Sequence, residues 1–103
     1  MVREEKVQVV CIAEFVAYEG KLDELAEAMH VLMEPTQREA GCLRYELNRR
    51  VDAPRVLTYI EKWKDQRSFE EHCAMPYIAH YFNEVRPRLV EHFEVKMYRE
   101  LPP

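Results

Sequence analysis

The segment 7–17 constrains the fold of this chain most, because it alternates like a β-strand and yet is apolar on both faces. Five small or apolar residues share one face: Val7, Val9, Cys11, Ala13 and Phe15. Three more occupy the opposite face, among two polar residues: Val10, Ile12 and Val16. A strand with two apolar faces is typical of the centre of a sheet that is covered on both sides.

Two stretches with helical periodicity follow this strand. Apolar residues at three- and four-residue steps predict a helix over 21–39, with a kink or a restart near Pro35 and a C-cap at Gly41. Asp65 is expected to cap the second helix, because its carboxylate can accept hydrogen bonds from the first turn. Pro76 splits that second helix into two parts.

Alternation of apolar and polar residues predicts three further strands, over 42–50, 55–63 and 91–99. The order is therefore β-α-β-β-α-β. With right-handed crossovers, this order gives a ferredoxin-like α+β sandwich, in which one antiparallel sheet carries helices on one face. A length of 103 residues fits one domain, spanning 1–103 with a core at about 7–99.

The other face of the sheet holds an apolar set that a lone sheet would leave in water: Val10, Ile12, Val16, Val56 and Ile60. A contiguous patch of this kind is larger than monomers commonly expose. We therefore expect a homodimer in which two copies pack through this sheet face.

Composition excludes several classes of partner. The net charge is −4, whereas nucleic-acid binding usually demands a clustered basic face. The apolar runs are too short to span a membrane. Residues 1–6 are charged, are expected to fray and form no apolar signal core. The cysteines Cys11, Cys42 and Cys73 are odd in number and widely spaced, which favours a reducing, cytoplasmic location over a disulfide framework.

The stretch 59–82 concentrates groups that can stack on a ring and move a proton. His72 is the first candidate for a catalytic base, since imidazole titrates near neutral pH, and His80 is the second. A purely structural role for either histidine remains the alternative. The residues expected to bind substrate are aromatic, with one carboxylate: Tyr45, Tyr59, Glu61, Trp63, Phe69, Tyr81 and Phe82.

Glu61 needs a partner if it faces the core, because a buried carboxylate is costly when it is unpaired. Arg38, Arg67 or a histidine could supply one, which would make either an oriented base pair or a structural ion pair. The four histidines lack the spacing of metal ligands, and Gly20 and Gly41 are too few for a phosphate loop. The sequence therefore predicts no metal and no nucleotide or flavin cofactor.

Two patterns carry a resemblance to a known family. One is Glu39-x-Gly41-Cys42-x-x-Tyr45, and the other is Tyr59-x-Glu61-x-Trp63-x-Asp65-x-x-x-Phe69-x-x-His72, followed by Pro76 and Phe82. Together they resemble the antibiotic biosynthesis monooxygenase (ABM) family, small dimeric α/β-barrel proteins that include quinol monooxygenases. The resemblance covers about 7–95. It implies a cofactor-independent monooxygenase that oxidises a quinol or another small electron-rich aromatic with O₂.

Two other functions stay open. The same base could serve an isomerase or tautomerase of a small carbonyl compound, and a phosphorylated substrate would then require a basic pocket. The third class is a non-catalytic ligand-binding dimer module, which predicts that the pocket is absent or filled by its own side chains. Family members that degrade haem use an Asn in the first strand, and the segment 7–17 has none. Haem chemistry is therefore not expected.

Overall fold

One antiparallel sheet of four strands, in the order β2-β3-β1-β4, forms one layer of the computed structural model, which describes residues 7–103. The strands are β1 Val9–Ala17, β2 Cys42–Arg49, β3 Val56–Trp63 and β4 Val90–Tyr98. The expected fraying of residues 1–6 lies outside the described residues. The helices are α1 Leu22–His30, α2 Met33–Gln37, α3 Gln66–Cys73, α4 Pro76–His80 and α5 Arg86–Leu89. The ferredoxin-like α+β fold is confirmed.

β1 occupies the centre of the sheet, as its two apolar faces predicted. Cys11 pairs with Glu61 of β3 on one side and with Met97 of β4 on the other. Alternate residues from Val9 to Ala17 are buried under the helices, and the residues between them are half-buried on the helix-free face. On that face Ile12 lies directly opposite Ile60.

The first helical region breaks earlier than the sequence predicted. The break lies between α1 and α2, at residues 31–32, and not near Pro35. Pro35 sits in the first turn of α2, where a missing N–H leaves no intrahelical hydrogen bond unmade.

Gly41 does not cap a helix by adopting a left-handed conformation, so the expected C-cap is wrong. Gly20 is the one described glycine with positive φ, at 81°. A Cβ on Gly41 would instead lie 2.2 Å from Oγ of Ser68. Gly41 is therefore required because the chain before β2 passes against the first turn of α3.

The second helical region agrees with the prediction at its start and at its break. The side chain of Asp65 accepts a hydrogen bond from the N–H of Ser68 at 2.8 Å, and Pro76 begins α4. A π-helical turn at Tyr81–Val85, which the sequence did not predict, joins α4 to α5. There the N–H of Arg86 bonds to the carbonyl of Tyr81, five residues earlier.

The helices cover β1 and β3 and leave the edge strand β4 open. On the helix-facing side of β4, Phe93, Val95 and Met97 are each 38–42% exposed. No helix within residues 7–103 combines the length and the apolar character needed to cross a bilayer.

Candidate active site

An aromatic-lined cavity lies between the helix-facing side of the sheet and the second helical region. Its volume is about 70 Å³, which is room for a few water molecules. Cys73 and Val95 line it and are exposed, so the cavity opens to solvent between α3 and β4. A planar ring would therefore occupy both the cavity and its mouth.

Seven of the nine predicted site residues line this cavity: Tyr45, Tyr59, Glu61, Phe69, His72, Tyr81 and Phe82. Trp63 is fully buried and lies behind the lining, in contact with His72. His80 is exposed on α4 and does not line the cavity. The structure therefore places the first candidate base beside the aromatic residues and leaves the second one outside, while the roles of all nine stay predictions.

His72 reaches the cavity because α3 begins at its Asp65 cap and runs across the sheet. The imidazole is buried, and its ring centroid lies 4.6 Å from that of Trp63, with 34° between the two planes. Tyr45 packs against it edge-on, at 5.6 Å between centroids. These rings restrict the imidazole to one orientation.

The Nδ1 atom of His72 lies 2.9 Å from Oε2 of Glu39, whose side chain is 9% exposed and also accepts a hydrogen bond from the hydroxyl of Tyr77. Burial lowers the pKa of His72, and the carboxylate of Glu39 offsets part of that effect. A neutral imidazole in this position donates Nδ1–H to the carboxylate and keeps Nε2 as an acceptor. The side-chain hydrogen bond that His72 forms within residues 7–103 uses Nδ1, which leaves Nε2 as the nitrogen available to a substrate.

Glu61 is the second titratable group of the cavity. It is 3% exposed and lies opposite Cys11 in β1 and Tyr45 in β2. Burial raises its pKa to about 7, although hydrogen bonds from Trp63 and from the thiol of Cys11 lower it in part. A carboxyl group with this pKa is present in both protonation states at neutral pH.

The partner of Glu61 is not the one that the sequence analysis expected. Nε1 of Trp63 donates to Oε1 of Glu61 at 2.9 Å. Arg38 and Arg67 form exposed ion pairs with carboxylates four residues away on their own helical segments. The expectation of an arginine or histidine partner is therefore wrong. Residues two apart on a strand share a face, so the spacing of Glu61 and Trp63 alone predicts that the indole lies beside the carboxylate.

Three tyrosine rings line the cavity, and their hydroxyls differ in environment. The centroids of Tyr45 and Tyr59 are 4.5 Å apart, and the hydroxyl of Tyr59 donates to the carbonyl of Met29. The hydroxyl of Tyr81 is buried and has no partner within residues 7–103. Burial raises the pKa of all three phenols, so each remains protonated.

Comparison with protein families shows which family the chain belongs to. The sequence model of the family described as antibiotic biosynthesis monooxygenase matches residues 8–84. The chain belongs to the ABM family. None of the curated proteins matches the chain significantly.

Solved structures agree with this membership of the ABM family. Protein SO0527 from Shewanella oneidensis is 48% identical, with a TM-score of 0.91 and coverage of 92% of both chains. PA3566 from Pseudomonas aeruginosa is 23% identical, with a TM-score of 0.87, and covers 95% of this chain and 98% of its own. A structure described as an antibiotic biosynthesis monooxygenase is 22% identical, with a TM-score of 0.82, and covers 91% of this chain and 99% of its own. The last two show the ABM fold alone.

Sequence reasoning missed several residues of this ABM site. Glu39 and Tyr77 complete the hydrogen-bonded group around His72, and Cys11 and Cys73 line the cavity. Glu39 was visible in the family pattern as the acidic residue two before Gly41, but nothing in its spacing paired it with His72. Cys11 could have been found, because it shares the buried face of β1.

The described part of this ABM chain contains no group of three His, Cys, Asp or Glu side chains that could hold a metal ion. The cavity instead offers an imidazole acceptor, a carboxyl group that titrates near neutral pH and aromatic walls. Such a site can take a proton from a planar, polarisable ring and return one to a neighbouring atom.

Proposed function

We propose that this chain is a cofactor-independent monooxygenase that oxidises a quinol, or another small electron-rich aromatic, with O₂. One observation carries the proposal: the imidazole of His72 is oriented by Glu39 at the wall of an aromatic-lined cavity. Membership of the ABM family supports the reaction class.

The first step is removal of a proton from a quinol hydroxyl by Nε2 of His72. The resulting anion can pass one electron to O₂, which the neutral quinol does far less readily. Recombination of the two radicals forms a new carbon–oxygen bond. His72 fits the role of base because a neutral imidazole with a free nitrogen accepts protons near neutral pH.

The second step uses the carboxyl group of Glu61. Its pKa of about 7 leaves a proton available when the oxygen–oxygen bond breaks and one oxygen departs as water. The balance is one quinol and one O₂ giving one hydroxyquinone and one water. The surrounding aromatic side chains reduce the contact of the anion and of the radical pair with bulk water.

The two rival functions have less support. No lysine or arginine lines the cavity within residues 7–103, and a phosphorylated carbonyl substrate would need one. A purely non-catalytic module predicted a cavity absent or filled by its own side chains, whereas this cavity remains open beside His72.

We also propose that the working unit is a homodimer joined through the helix-free face. The apolar residues Ile12 and Ile60 pair at the centre of that face. Charged residues of β4, including Glu94 and Lys96, flank them. An apolar centre with a polar rim is typical of protein interfaces. A reducing, cytoplasmic location is part of the same proposal, because the three thiols are free and Cys73 is exposed.

Oxygen uptake with menadiol tests the reaction. We expect hydroxylated quinone in amounts equal to the O₂ consumed, and a loss of about 100-fold in kcat in His72→Ala. His30→Ala is the matched control, because His30 is exposed at the end of α1. Turnover of a carbonyl substrate without O₂ would favour the isomerase. Uptake that is equal in wild type and His72→Ala would refute the proposed reaction.

A further inference from the structure

The hydroxyl of Tyr77 shares one carboxylate oxygen with the proposed base. Oε2 of Glu39 lies 2.9 Å from Nδ1 of His72 and also accepts a hydrogen bond from the hydroxyl of Tyr77. His72 lies in α3 and lines the cavity, whereas Tyr77 lies in α4 and does not line it. Any effect of Tyr77 on a substrate in the cavity therefore passes through Glu39.

The carboxylate that receives both hydrogen bonds is fixed by the backbone on either side of it. The N–H of Glu39 donates to the carbonyl of Thr36, and the carbonyl of Glu39 accepts from the N–H of Cys42. The side chains of Glu39 and His72 are 9% and 5% exposed. Because the turn is held at both ends and the side chain is buried, we expect the carboxylate to keep its position when one of its two donors is removed.

Tyr77 acts as a hydrogen-bond donor towards this carboxylate. Burial, together with the hydrogen bond to Glu39, raises the pKa of Tyr77 to about 12, so the phenol stays protonated at neutral pH. A carboxylate only accepts hydrogen bonds, which fixes the direction of the phenol O–H. A donor on a carboxylate oxygen stabilises its negative charge, and so reduces the attraction that the same oxygen exerts on a neighbouring cation.

The protonation of His72 depends on two opposing effects. Burial lowers its pKa, and the carboxylate of Glu39 raises it. A protonated imidazole has no free acceptor for a quinol proton, so the base works only while the effect of Glu39 stays limited. Other titratable groups surround the cavity and Glu39 within residues 7–103, and a substitution at position 77 leaves their identity unchanged: Cys11, Cys42, Tyr45, Tyr59, Glu61, Cys73 and Tyr81.

We propose that Tyr77 is a positioning residue that shares the carboxylate of Glu39 with His72 and so keeps the imidazole neutral and ready to accept a proton. The assignment rests on the proposed function, because it gives Tyr77 a role in the base of that reaction. In Tyr77→Phe the carboxylate loses its second donor, so its charge acts more strongly on His72. The imidazole then holds its proton up to a higher pH.

NMR titration of the histidine rings tests this role in the resting protein, without substrate or O₂. The signal of His72 is the one that is missing from His72→Gln. We expect its titration midpoint to rise by about 0.5 pH unit in Tyr77→Phe, a threefold change in proton affinity, because only part of a charged hydrogen bond is transmitted to the imidazole. Tyr18→Phe is the matched control, because Tyr18 is 44% exposed and lies outside the cavity.

A double substitution separates this role from a merely structural one. In the Glu39→Gln background, Tyr77→Phe should leave the midpoint of His72 unchanged, because no carboxylate remains to be shared. An unchanged or lower midpoint in Tyr77→Phe alone, or an equal rise in both backgrounds, would overturn the role of Tyr77 and leave the proposed reaction standing. Absence of oxygen uptake by wild type with menadiol would refute the reaction itself, and with it any catalytic use of Tyr77.

Discussion

Nδ1 of His72 lies 2.9 Å from Oε2 of Glu39, across 33 positions of sequence. This contact joins the end of α3 to the turn before β2, and both groups are almost fully buried. It fixes the tautomer of the imidazole, because a carboxylate can only accept. The fold therefore makes Nε2 the unprotonated nitrogen of His72, whether or not a substrate is bound.

Glu39→Gln tests this relationship. The amide cannot hold the positive charge that develops on His72 when it takes a proton, so kcat should fall by about 100-fold while KM changes little. In wild type the carboxylate of Glu39 raises the pKa of His72 and so offsets part of the lowering that burial causes. Glu39→Gln removes this contribution, and the pKa of His72 should fall further. The acid limb of the pH profile should therefore move to lower pH.

Glu34→Gln is the matched control for that substitution. Glu34 makes an exposed ion pair with Arg38 on α2 and should leave the rate unchanged. A shift of the acid limb to higher pH, or an unchanged kcat in Glu39→Gln, would contradict an orienting role for the carboxylate.

Some features of this fold follow from the periodicity of the sequence, and others depend on how distant segments pack. Two-residue periodicity predicted the central place of β1 and put Ile12 and Ile60 on the same face of the sheet, because alternation specifies a face, but it did not predict that these two residues pair. The contact between Glu39 and His72 was not predictable, since it depends on how a turn packs against a distant helix. The π-helical turn was also missed, because apolar spacing does not distinguish four-residue from five-residue steps at Tyr81.

The pH dependence of stability tests the environment of Glu61. Its pKa rises from 4.5 to about 7 on folding, so the native state holds a proton that the unfolded chain has released in that range. Wild type should lose about 3 kcal/mol of unfolding free energy from this group as pH rises from 4.5 to 7, at about 1.4 kcal/mol for each pH unit.

Glu61→Gln removes that titration while keeping an acceptor for Nε1 of Trp63. Urea unfolding at pH 5, 6, 7 and 8 should show that, as the pH rises, the unfolding free energy of wild type falls relative to that of the variant. Glu46→Gln, at an exposed position of β2, should follow wild type in parallel. Parallel curves for wild type and Glu61→Gln would mean that the carboxyl group titrates normally.

Gly41→Ala tests the close approach that positions α3. The new Cβ would lie 2.2 Å from Oγ and 2.3 Å from Cβ of Ser68, so we expect a loss of about 2 kcal/mol, measured by thermal unfolding. Ser68→Gly in the same chain should restore most of it. Gly20→Ala costs about 1 kcal/mol for a different reason, its φ of 81°, and Ser68→Gly should not relieve that strain.

Ile60→Glu tests the proposed homodimer. Ile60 pairs with Ile12 at the centre of the helix-free face, and the residue opposite it in β2 is Glu46, so the new carboxylate would face a like charge. A carboxylate buried there without a partner should weaken association by about 100-fold or more, because its desolvation is uncompensated. Analytical ultracentrifugation should give twice the chain mass for wild type and the chain mass for the variant. Val51→Glu, at a fully exposed turn position, should remain dimeric. Wild type that sediments as a single chain at every concentration would refute this interface, because the apolar face would then be solvated in the working protein.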